Sequence, residues 1–278
     1  MNTKKILLYF AIAVLPFLLS GCYGDNNDFA GADFGGVSGQ GGSWARFTIE
    51  GNYLYTVSEM DVNTFDISDP QNPTLVNTIF GASQNLETIF STDTVLFLGS
   101  KEGMVIYSLR NPAAPSLLSS YQHRDALVCP VTRQAPANGP FLVCDPIVSD
   151  GKFGYLTLKA EAPCRDPNTN AVNPTDADQM IVFDLANLRN PIPIGNYDME
   201  SPEGLGIWND LLFVADEGLK VFDRTDSYNL EQIGFYDIPA YDVIALRNSL
   251  LITADDGFHQ YDIVDRELEY VSSILVGE

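Results

Sequence analysis

The stretch that decides the fold is Gly204–Ile238, GLGIWNDLLFVADEGLKVFDRTDSYNLEQIGFYDI. Its pattern returns as Val243–Val276, VIALRNSLLITADDGFHQYDIVDRELEYVSSILV. In both copies two short runs of aliphatic, β-branched and aromatic residues flank an acidic turn that ends in glycine, and a third run follows a further turn. Short runs of this composition between turn residues predict strands. The two copies are therefore consecutive units of an antiparallel repeat.

The run directly after the acidic turn is the third strand of each copy. A residue pair at the end of this strand measures the repeat. An aromatic residue is followed by Asp, or in one copy by Ser, and the pairs are Phe65-Asp66, Tyr107-Ser108, Phe183-Asp184, Phe222-Asp223 and Tyr261-Asp262. Asp66 and Ser108 are 42 residues apart, and 39 residues separate Asp184 from Asp223 and Asp223 from Asp262. The gap of 76 residues between Ser108 and Asp184 places an insertion in the third copy.

A period of about 40 residues that is built from short strands is typical of β-propeller blades. One four-stranded blade cannot cover both of its faces, so blades stack around an axis. The sequence predicts an all-β protein with a five-bladed β-propeller over residues 44–278. Six blades are the alternative, if residues 124–142 contribute strands of their own.

The segment Val62–Val76, VNTFDISDPQNPTLV, resembles the LVIVD-repeat proteins. Leu205-Gly-Ile, Leu219-Lys-Val-Phe-Asp and Tyr241-Asp-Val-Ile are similar to segments of secreted Bacteroidota members of that family. The resemblance covers roughly residues 44–276 and implies a β-propeller, but it implies little about activity. The chain departs from the family pattern at Ser108, where Asp is usual, and in the long third repeat.

The amino terminus has the pattern of an export signal. Residues 1–21 contain Lys4 and Lys5 followed by the apolar run Ile6–Leu19, which is too short for a stable membrane span. Leu19-Ser20-Gly21-Cys22 resembles the bacterial lipobox, so we expect Cys22 to be lipidated. Residues 22–43 are rich in Gly and Asp and predict a flexible tether. We expect a lipid-anchored protein of a bacterial outer membrane, with the leaflet left open.

The charge of the chain argues against nucleic acid and anionic head groups as partners. The sequence has 37 acidic and 15 basic residues and a net charge of −22, which becomes −24 when Lys4 and Lys5 leave with the signal segment. Nucleic acid and anionic lipid head groups repel such a surface. Solubility, a cationic partner or a divalent cation are the interpretations that remain.

Three cysteines lie in or beside two insertions, at about 124–142 and 159–178. In similar LVIVD proteins a Cys before Asp-Pro and a Cys in the second insertion recur together, so the resemblance implies a disulfide between Cys144 and Cys164. A Cys129–Cys144 bond is the alternative. A zinc site is disfavoured because no Cys-x-x-Cys is present and an exported protein meets oxidising conditions.

Carboxylates recur at one position of the repeat. An alignment on the second strands, which matches Phe97, Tyr155, Phe213 and Ile252, places acids ten residues earlier in four copies: Glu87, Asp145, Glu203 and Asp242. Innermost strands line the channel of a propeller, so the alignment predicts an acidic ring at one mouth of the channel. Oxygen ligands suit Ca²⁺ or Mg²⁺, and ordinary surface charge is the alternative interpretation.

Three functions are compatible with these patterns. The first is a non-enzymatic binding or scaffold module for a protein or glycan, and the second is a Ca²⁺- or Mg²⁺-dependent hydrolase or lyase at the acidic ring. The third is a structural lipoprotein of the cell envelope. The two histidines, His123 and His259, belong to no catalytic motif, so the sequence assigns no catalytic residue.

Overall fold

Five antiparallel sheets of four strands, one for each sequence repeat, make up the fold. The computed structural model describes residues 42–100, 103–122, 146–159, 164–165, 172–173 and 178–276. The predictions for Cys22, Cys129, Cys144, Asp145 and His123 lie outside these residues, and for Cys164 only the backbone is described. The predicted all-β propeller is confirmed, with five blades rather than six.

The blades follow one another along the chain. Blade 1 consists of β1 (Phe47–Glu50), β2 (Tyr53–Val57), β3 (Val62–Asp66) and β4 (Thr74–Ile79). Blade 2 consists of β5 (Leu86–Thr92), β6 (Val95–Ser100), β7 (Gly103–Ser108) and β8 (Ser116–Gln122). Blade 3 consists of β9 (Ile147–Ser149), β10 (Phe153–Leu158), β13 (Gln179–Asp184) and β14 (Ile192–Asp198). Blade 4 consists of β15 (Pro202–Trp208), β16 (Leu211–Asp216), β17 (Leu219–Asp223) and β18 (Glu231–Tyr236). Blade 5 consists of β19 (Ala240–Leu246), β20 (Ser249–Ala254), β21 (Gly257–Val264) and β22 (Glu267–Leu275).

The second insertion contains a short hairpin. Its strands are β11 (Cys164–Arg165) and β12 (Val172–Asn173), and Cys164 pairs with Asn173. Among the residues that the structure describes, no helix is long and apolar enough to span a membrane.

The first strand of each blade is the innermost one, because contacts run in succession from β1 to β5, β9, β15 and β19 around the axis. Each blade then proceeds outward through antiparallel pairs. We call the end at which the innermost strands begin the upper face. The opposite end, where the first two strands of each blade are joined and the third leads to the fourth, is the lower face.

The residue pair that measures the repeat closes the same turn in every blade. The N–H that follows the repeated Asp or Ser donates to a carbonyl of the first hairpin turn, as Leu109 does to Thr94 at 2.8 Å and Leu185 to Lys152 at 2.9 Å. Equivalent bonds are made by Ile67, Arg224 and Ile263. In blades 1, 3 and 4 the repeated Asp also accepts a hydrogen bond from the N–H two residues later, and in blade 2 Ser108 accepts it through Oγ at 3.3 Å. A short oxygen-bearing side chain is required there because it stabilises the reversal of the chain.

Buried apolar side chains join neighbouring blades in three clusters. One cluster joins blade 1 to blade 2 around Tyr55 and Leu96, and a second joins blades 2, 3 and 4 around Phe97, Tyr155 and Leu212. A third joins blades 4 and 5 around Phe213. Within the described ranges, none of these clusters contains residues of both blade 5 and blade 1. The last junction of the ring therefore depends on other contacts.

Candidate functional site

The predicted acidic ring maps to the upper face. Glu87 lies between Leu86 and Thr88, where the β5–β6 register shifts, and Glu203 lies in the corresponding irregularity of β15. A β-bulge at the start of an innermost strand re-aims the side chain that it contains. Asp145 lies outside the described residues.

The fifth copy departs from the predicted alignment by one residue. In blade 4, Val221 precedes the aromatic residue of the repeated pair and pairs with Phe213. In blade 5, Gln260 has the same position and pairs with Leu251. Leu251 rather than Ile252 is therefore the equivalent of Phe213. The cause is that β16 and β17 form a hairpin one residue shorter than the others, with Glu217 and Gly218 both at positive φ. Tyr241 consequently occupies the ring position, and Asp242 lies one residue further along β19.

The described ring residues have different surroundings. Glu203 forms an ion pair with Lys159, whose Nζ lies 2.8 Å from Oε1 of the glutamate. The side chain of Glu203 is 17% exposed and that of Lys159 is 41% exposed. The backbone carbonyl of Glu203 accepts a hydrogen bond from the Thr157 hydroxyl at 2.5 Å, which ties blade 4 to blade 3. Within the described part of the chain, no three His, Cys, Asp or Glu side chains lie together in a way that could hold a metal ion.

Asp242 lies in an intramolecular hydrogen-bond network. Its Oδ1 accepts the backbone N–H of Ser43 at 3.1 Å and the Ser43 hydroxyl at 2.8 Å. The N–H of Trp44 donates to Oδ2 at 3.3 Å, and the N–H of Val243 donates to Oδ1 at 2.9 Å. The Ser43 hydroxyl oxygen in turn accepts the N–H of Leu205 at 2.8 Å. Asp242 thereby connects the beginning of the propeller to blades 4 and 5.

The segment Gly42–Arg46, which we call the clasp, also bonds to blades 1 and 2. The N–H of Val57 donates to the Arg46 carbonyl at 3.0 Å, and the N–H of Ile89 donates to the Ala45 carbonyl at 3.0 Å. Together with the hydrogen bonds that the clasp donates to Asp242 of blade 5, these bonds supply the junction between blades 5 and 1, where the apolar clusters do not meet. The position predicted as a ligand site is thus used to close the ring.

The space around the Asp242 carboxylate is filled. A Cβ atom at Gly42 or Gly204 would overlap its oxygens, so both glycines are required for the close approach. Asp242 is 9% exposed, and burial raises the pKa of its carboxyl, while the hydrogen bonds from Ser43, Val243 and Trp44 oppose that effect. A carboxyl with these partners serves to hold the chain in place.

The channel below the clasp is narrow, and most of the side chains that line it are apolar. A cavity of about 110 Å³ is enclosed by the clasp and four innermost strands, with Phe90, Val148, Leu205 and Val243 among its lining residues. Among the described lining residues, the polar side chains are those of Ser43 and Ser149, and neither is charged. The channel itself is therefore a poor site for a charged ligand.

The lower mouth of the channel carries carboxylates that the sequence alignment did not single out. Glu50, Asp93 and Asp150 line a depression of about 380 Å³. Burial raises the pKa of Glu50, and the nearby charge of Asp93 raises it further. Burial alone would raise the pKa of Asp150, but hydrogen bonds from the Phe153 N–H and from Arg224 outweigh it and lower the pKa. Arg224 and Asp150 form an ion pair at 2.6 Å that fixes blade 4 to blade 3.

A larger groove of about 710 Å³ lies on the lower face between blades 2 and 3. One wall is the loop from β7 to β8, which contributes Arg110 and Asn111, and the other is the loop from β13 to β14, which contributes Asn187 and Arg189. The hydroxyl of Ser119 donates to the Leu188 carbonyl at 2.6 Å and holds the two walls together. Val95, Leu118 and Leu188 add apolar surface to the lining.

Both arginines of this groove are exposed. Among the hydrogen bonds and ion pairs of the residues that the structure describes, none uses the guanidinium of Arg110 or Arg189. The sequence contained the relevant signal, because Arg-Asn-Pro recurs at 110–112 and 189–191 in equivalent turns. The sequence did not show that these two turns line the same groove.

Two further features of the sequence are His259 and the disulfide predicted between Cys144 and Cys164. Nε2 of His259 lies 2.7 Å from Oδ1 of Asp256, and this contact lowers the pKa of the Asp256 carboxyl. Both residues lie at one end of the β20–β21 hairpin, away from the groove. The Cys144–Cys164 disulfide stays a prediction, since Cys144 and the Cys164 side chain lie outside the described residues.

No protein-family model matches the chain, and no curated protein matches it either. The resemblance to LVIVD-repeat proteins therefore stays a prediction.

Solved structures do match the chain. A chain of the mitotic checkpoint complex is 12% identical with a TM-score of 0.54, over 82% of this chain and 64% of that one. The WD40 domain of Toxoplasma gondii coronin is 12% identical with a TM-score of 0.51, over 84% and 57%. A periplasmic gluconolactonase of Pseudomonas aeruginosa is 13% identical with a TM-score of 0.47, over 82% and 83%. At these identities the matches to the checkpoint-complex chain and to coronin show the β-propeller fold alone.

Proposed function

We propose that this β-propeller is a non-enzymatic binding module whose ligand site is the groove between blades 2 and 3. The observation that carries the proposal is the pair of exposed arginines, Arg110 and Arg189, whose guanidinium groups have no protein partner in the described residues. Ligand sites are typically concave, with an apolar floor and a few polar groups that fix orientation. A volume of about 710 Å³ is large enough for several sugar rings or a short peptide segment.

The lower face suits this role for a further reason. Loops that are held by a rigid scaffold commonly carry binding function. The groove walls are such loops, and each is fixed by the repeated bond between the third strand and the first hairpin turn. The site is therefore formed before a ligand arrives, which lowers the entropic cost of binding.

A groove-blocking variant tests the proposal. Ala114 is an exposed lining residue with a small side chain, so Ala114→Trp fills the groove without changing the charge. We expect the purified full-length protein to retain envelope glycans or proteins on an array and Ala114→Trp to lose them. A matched Trp substitution at the exposed Pro239, far from the groove in sequence, controls for added apolar surface. Equal retention by parent and Ala114→Trp, or cleavage of the bound ligand over time, would show that the proposal is wrong.

We further propose that the module is displayed from the outer membrane through a lipid on Cys22. The support is the lipobox-like sequence Leu19-Ser20-Gly21-Cys22 and the Gly- and Asp-rich tether that follows it. Incorporation of a labelled fatty acid into the parent, with loss of the label and of membrane association in Cys22→Ser, is the expected result. Protease accessibility on intact cells then distinguishes surface display from a periplasmic location.

A further inference from the structure

We propose that the ligand of the groove between blades 2 and 3 is an oligosaccharide that carries anionic groups. The inference rests on the proposed function and adds the chemical class of the ligand. The observation behind it is the charge of the residues that line the groove. Among the residues that the structure describes, the groove is lined by Arg110 and Arg189 and by no Asp or Glu, in a chain with 37 acidic and 15 basic residues. A cationic site on such a protein contrasts with its general charge.

The equivalent turns of neighbouring blades show how the negative charge is avoided. In blades 1 and 4 the turn between the third and fourth strands contains Asp69 and Asp226, and the corresponding residues of blades 2 and 3 are Asn111 and Asn187. The backbone carbonyl at this position accepts the same turn-closing hydrogen bond in all four blades, at 2.8–3.1 Å. The turn therefore has the same conformation with either residue type.

In blade 3 the side chain at this position also keeps its structural role after the charge is lost. Oδ1 of Asp69, Asn187 and Asp226 each accepts the N–H two residues later at 3.1 Å. An amide oxygen makes this bond as a carboxylate oxygen does. Ser108 replaces the repeated Asp in the same way and still accepts the N–H of Arg110. Turn geometry thus does not explain why the groove lacks acids, whereas a requirement for an uncharged or positive lining does.

The polar groups beside the arginines indicate the rest of the ligand. Thr94, Asn111, Ser116 and Asn187 line the groove with hydroxyl and amide groups. Oδ1 of Asn187 is used by the turn, which leaves its Nδ2 as a donor. Sugar hydroxyls both donate and accept, so they match such a lining. Guanidinium groups bind carboxylates and sulfates with paired hydrogen bonds. An acidic sugar chain carries both many hydroxyl groups and anionic groups, whereas an acidic peptide carries anionic groups but few hydroxyl groups.

The test compares ligands that differ in charge and in type. Binding of the full-length protein is measured by calorimetry with an oligogalacturonate, a chondroitin sulfate oligosaccharide, a neutral cello-oligosaccharide and hexaglutamate. We expect one or both acidic sugars to bind and the neutral sugar and peptide to bind at least tenfold more weakly. The two acidic sugars distinguish carboxylate from sulfate as the recognised group.

Three single variants make the test specific. Arg110→Gln and Arg189→Gln should each weaken binding of the acidic sugar by about tenfold or more, because a charge-assisted hydrogen bond is lost. Arg247→Gln removes one charge from an exposed residue of the β19–β20 turn and should leave the affinity unchanged. All three arginines are exposed, so an unchanged circular dichroism spectrum and melting temperature are expected.

The outcomes separate this inference from the proposed function. If a neutral sugar or hexaglutamate binds as tightly as the acidic sugars, and Ala114→Trp abolishes that binding, the groove is a ligand site but the inference about its ligand is wrong. If acidic sugars bind equally to the parent and to both groove arginine variants, the inference is also wrong. If no acidic sugar binds the parent, the inference is overturned directly.

Discussion

The carboxylate of Asp242 accepts hydrogen bonds from both the N–H and the hydroxyl of Ser43, a residue 199 positions earlier in the chain. The two residues lie at the junction of blades 5 and 1. Because the apolar clusters of the described residues do not cross this junction, the polar contact has the closing role that packing has elsewhere in the ring.

Asp242→Ala should lower the free energy of unfolding by about 1–3 kcal/mol, since it leaves the buried donors of Ser43 without an acceptor. Urea unfolding of the purified protein measures the change. Asp237→Ala, at an exposed aspartate in the β18–β19 connection, is the control and should have little effect. Equal stability of the two variants would contradict the role assigned to Asp242.

The raised pKa of Asp242 predicts a pH dependence of stability. In the interval between its ordinary value of 3.8 and the raised value, the folded state binds more protons than the unfolded state. The contribution of Asp242 to the free energy of unfolding is therefore largest below that interval and decreases as the pH rises through it. Urea unfolding from pH 3 to pH 7, at low protein concentration, should show this decrease as a difference between the parent and Asp242→Asn. A difference that is constant with pH, or that increases with pH, would count against the raised pKa.

Gly204→Ala tests the close packing around the same carboxylate. The new Cβ would lie 2.7 Å from the Cα of Asp242 and would overlap Oδ1, so we expect a loss of about 1–3 kcal/mol in the free energy of unfolding. Gly234→Ala is a suitable control, because its Cβ would meet Val221 at an ordinary 3.5 Å. Thermal or urea unfolding of both variants gives the comparison, and a tolerated Gly204→Ala would mean that the clasp is not held tightly.

Metal binding at the acidic ring is tested by chelation. The predicted ring residues Glu87, Glu203 and Asp242 form no group that could hold a metal ion with other residues that the structure describes, and Asp242 accepts hydrogen bonds from the clasp. We therefore expect the melting temperature to be the same after EDTA treatment and after addition of Ca²⁺ or Mg²⁺. A shift with either cation that disappears in Glu87→Gln or Asp145→Asn would restore the predicted metal site and the metal-dependent hydrolase or lyase hypothesis.

The fold was predictable because its signals are local and repeated. The aromatic-Asp pairs recur at nearly constant spacing because each closes the same turn, and that turn needs only residues a short distance apart in sequence. Short apolar runs such as Leu211–Asp216 predict strands for the same reason. Five copies of one local unit then leave few arrangements other than a ring of blades.

The site was less predictable because it depends on contacts between distant residues. One residue less in the hairpin of β16 and β17 is enough to displace Tyr241 and Asp242 in the alignment, since strand register is set by pairing rather than by similarity of letters. The sequence identified an acid at position 242, but only the tertiary structure brings the clasp to that carboxylate and so decides that the acid closes the ring.

The amino-acid sequence by itself therefore determined the repeat, the strands, the turns and the strongly negative charge of this protein. The tertiary structure decided where that charge is absent, because it places the loops that contain Arg110 and Arg189 on opposite walls of one groove. Composition sums the charges of a chain, whereas a binding site depends on which side chains the packing of neighbouring blades brings together. That packing is non-local, and no short segment of the sequence contains it.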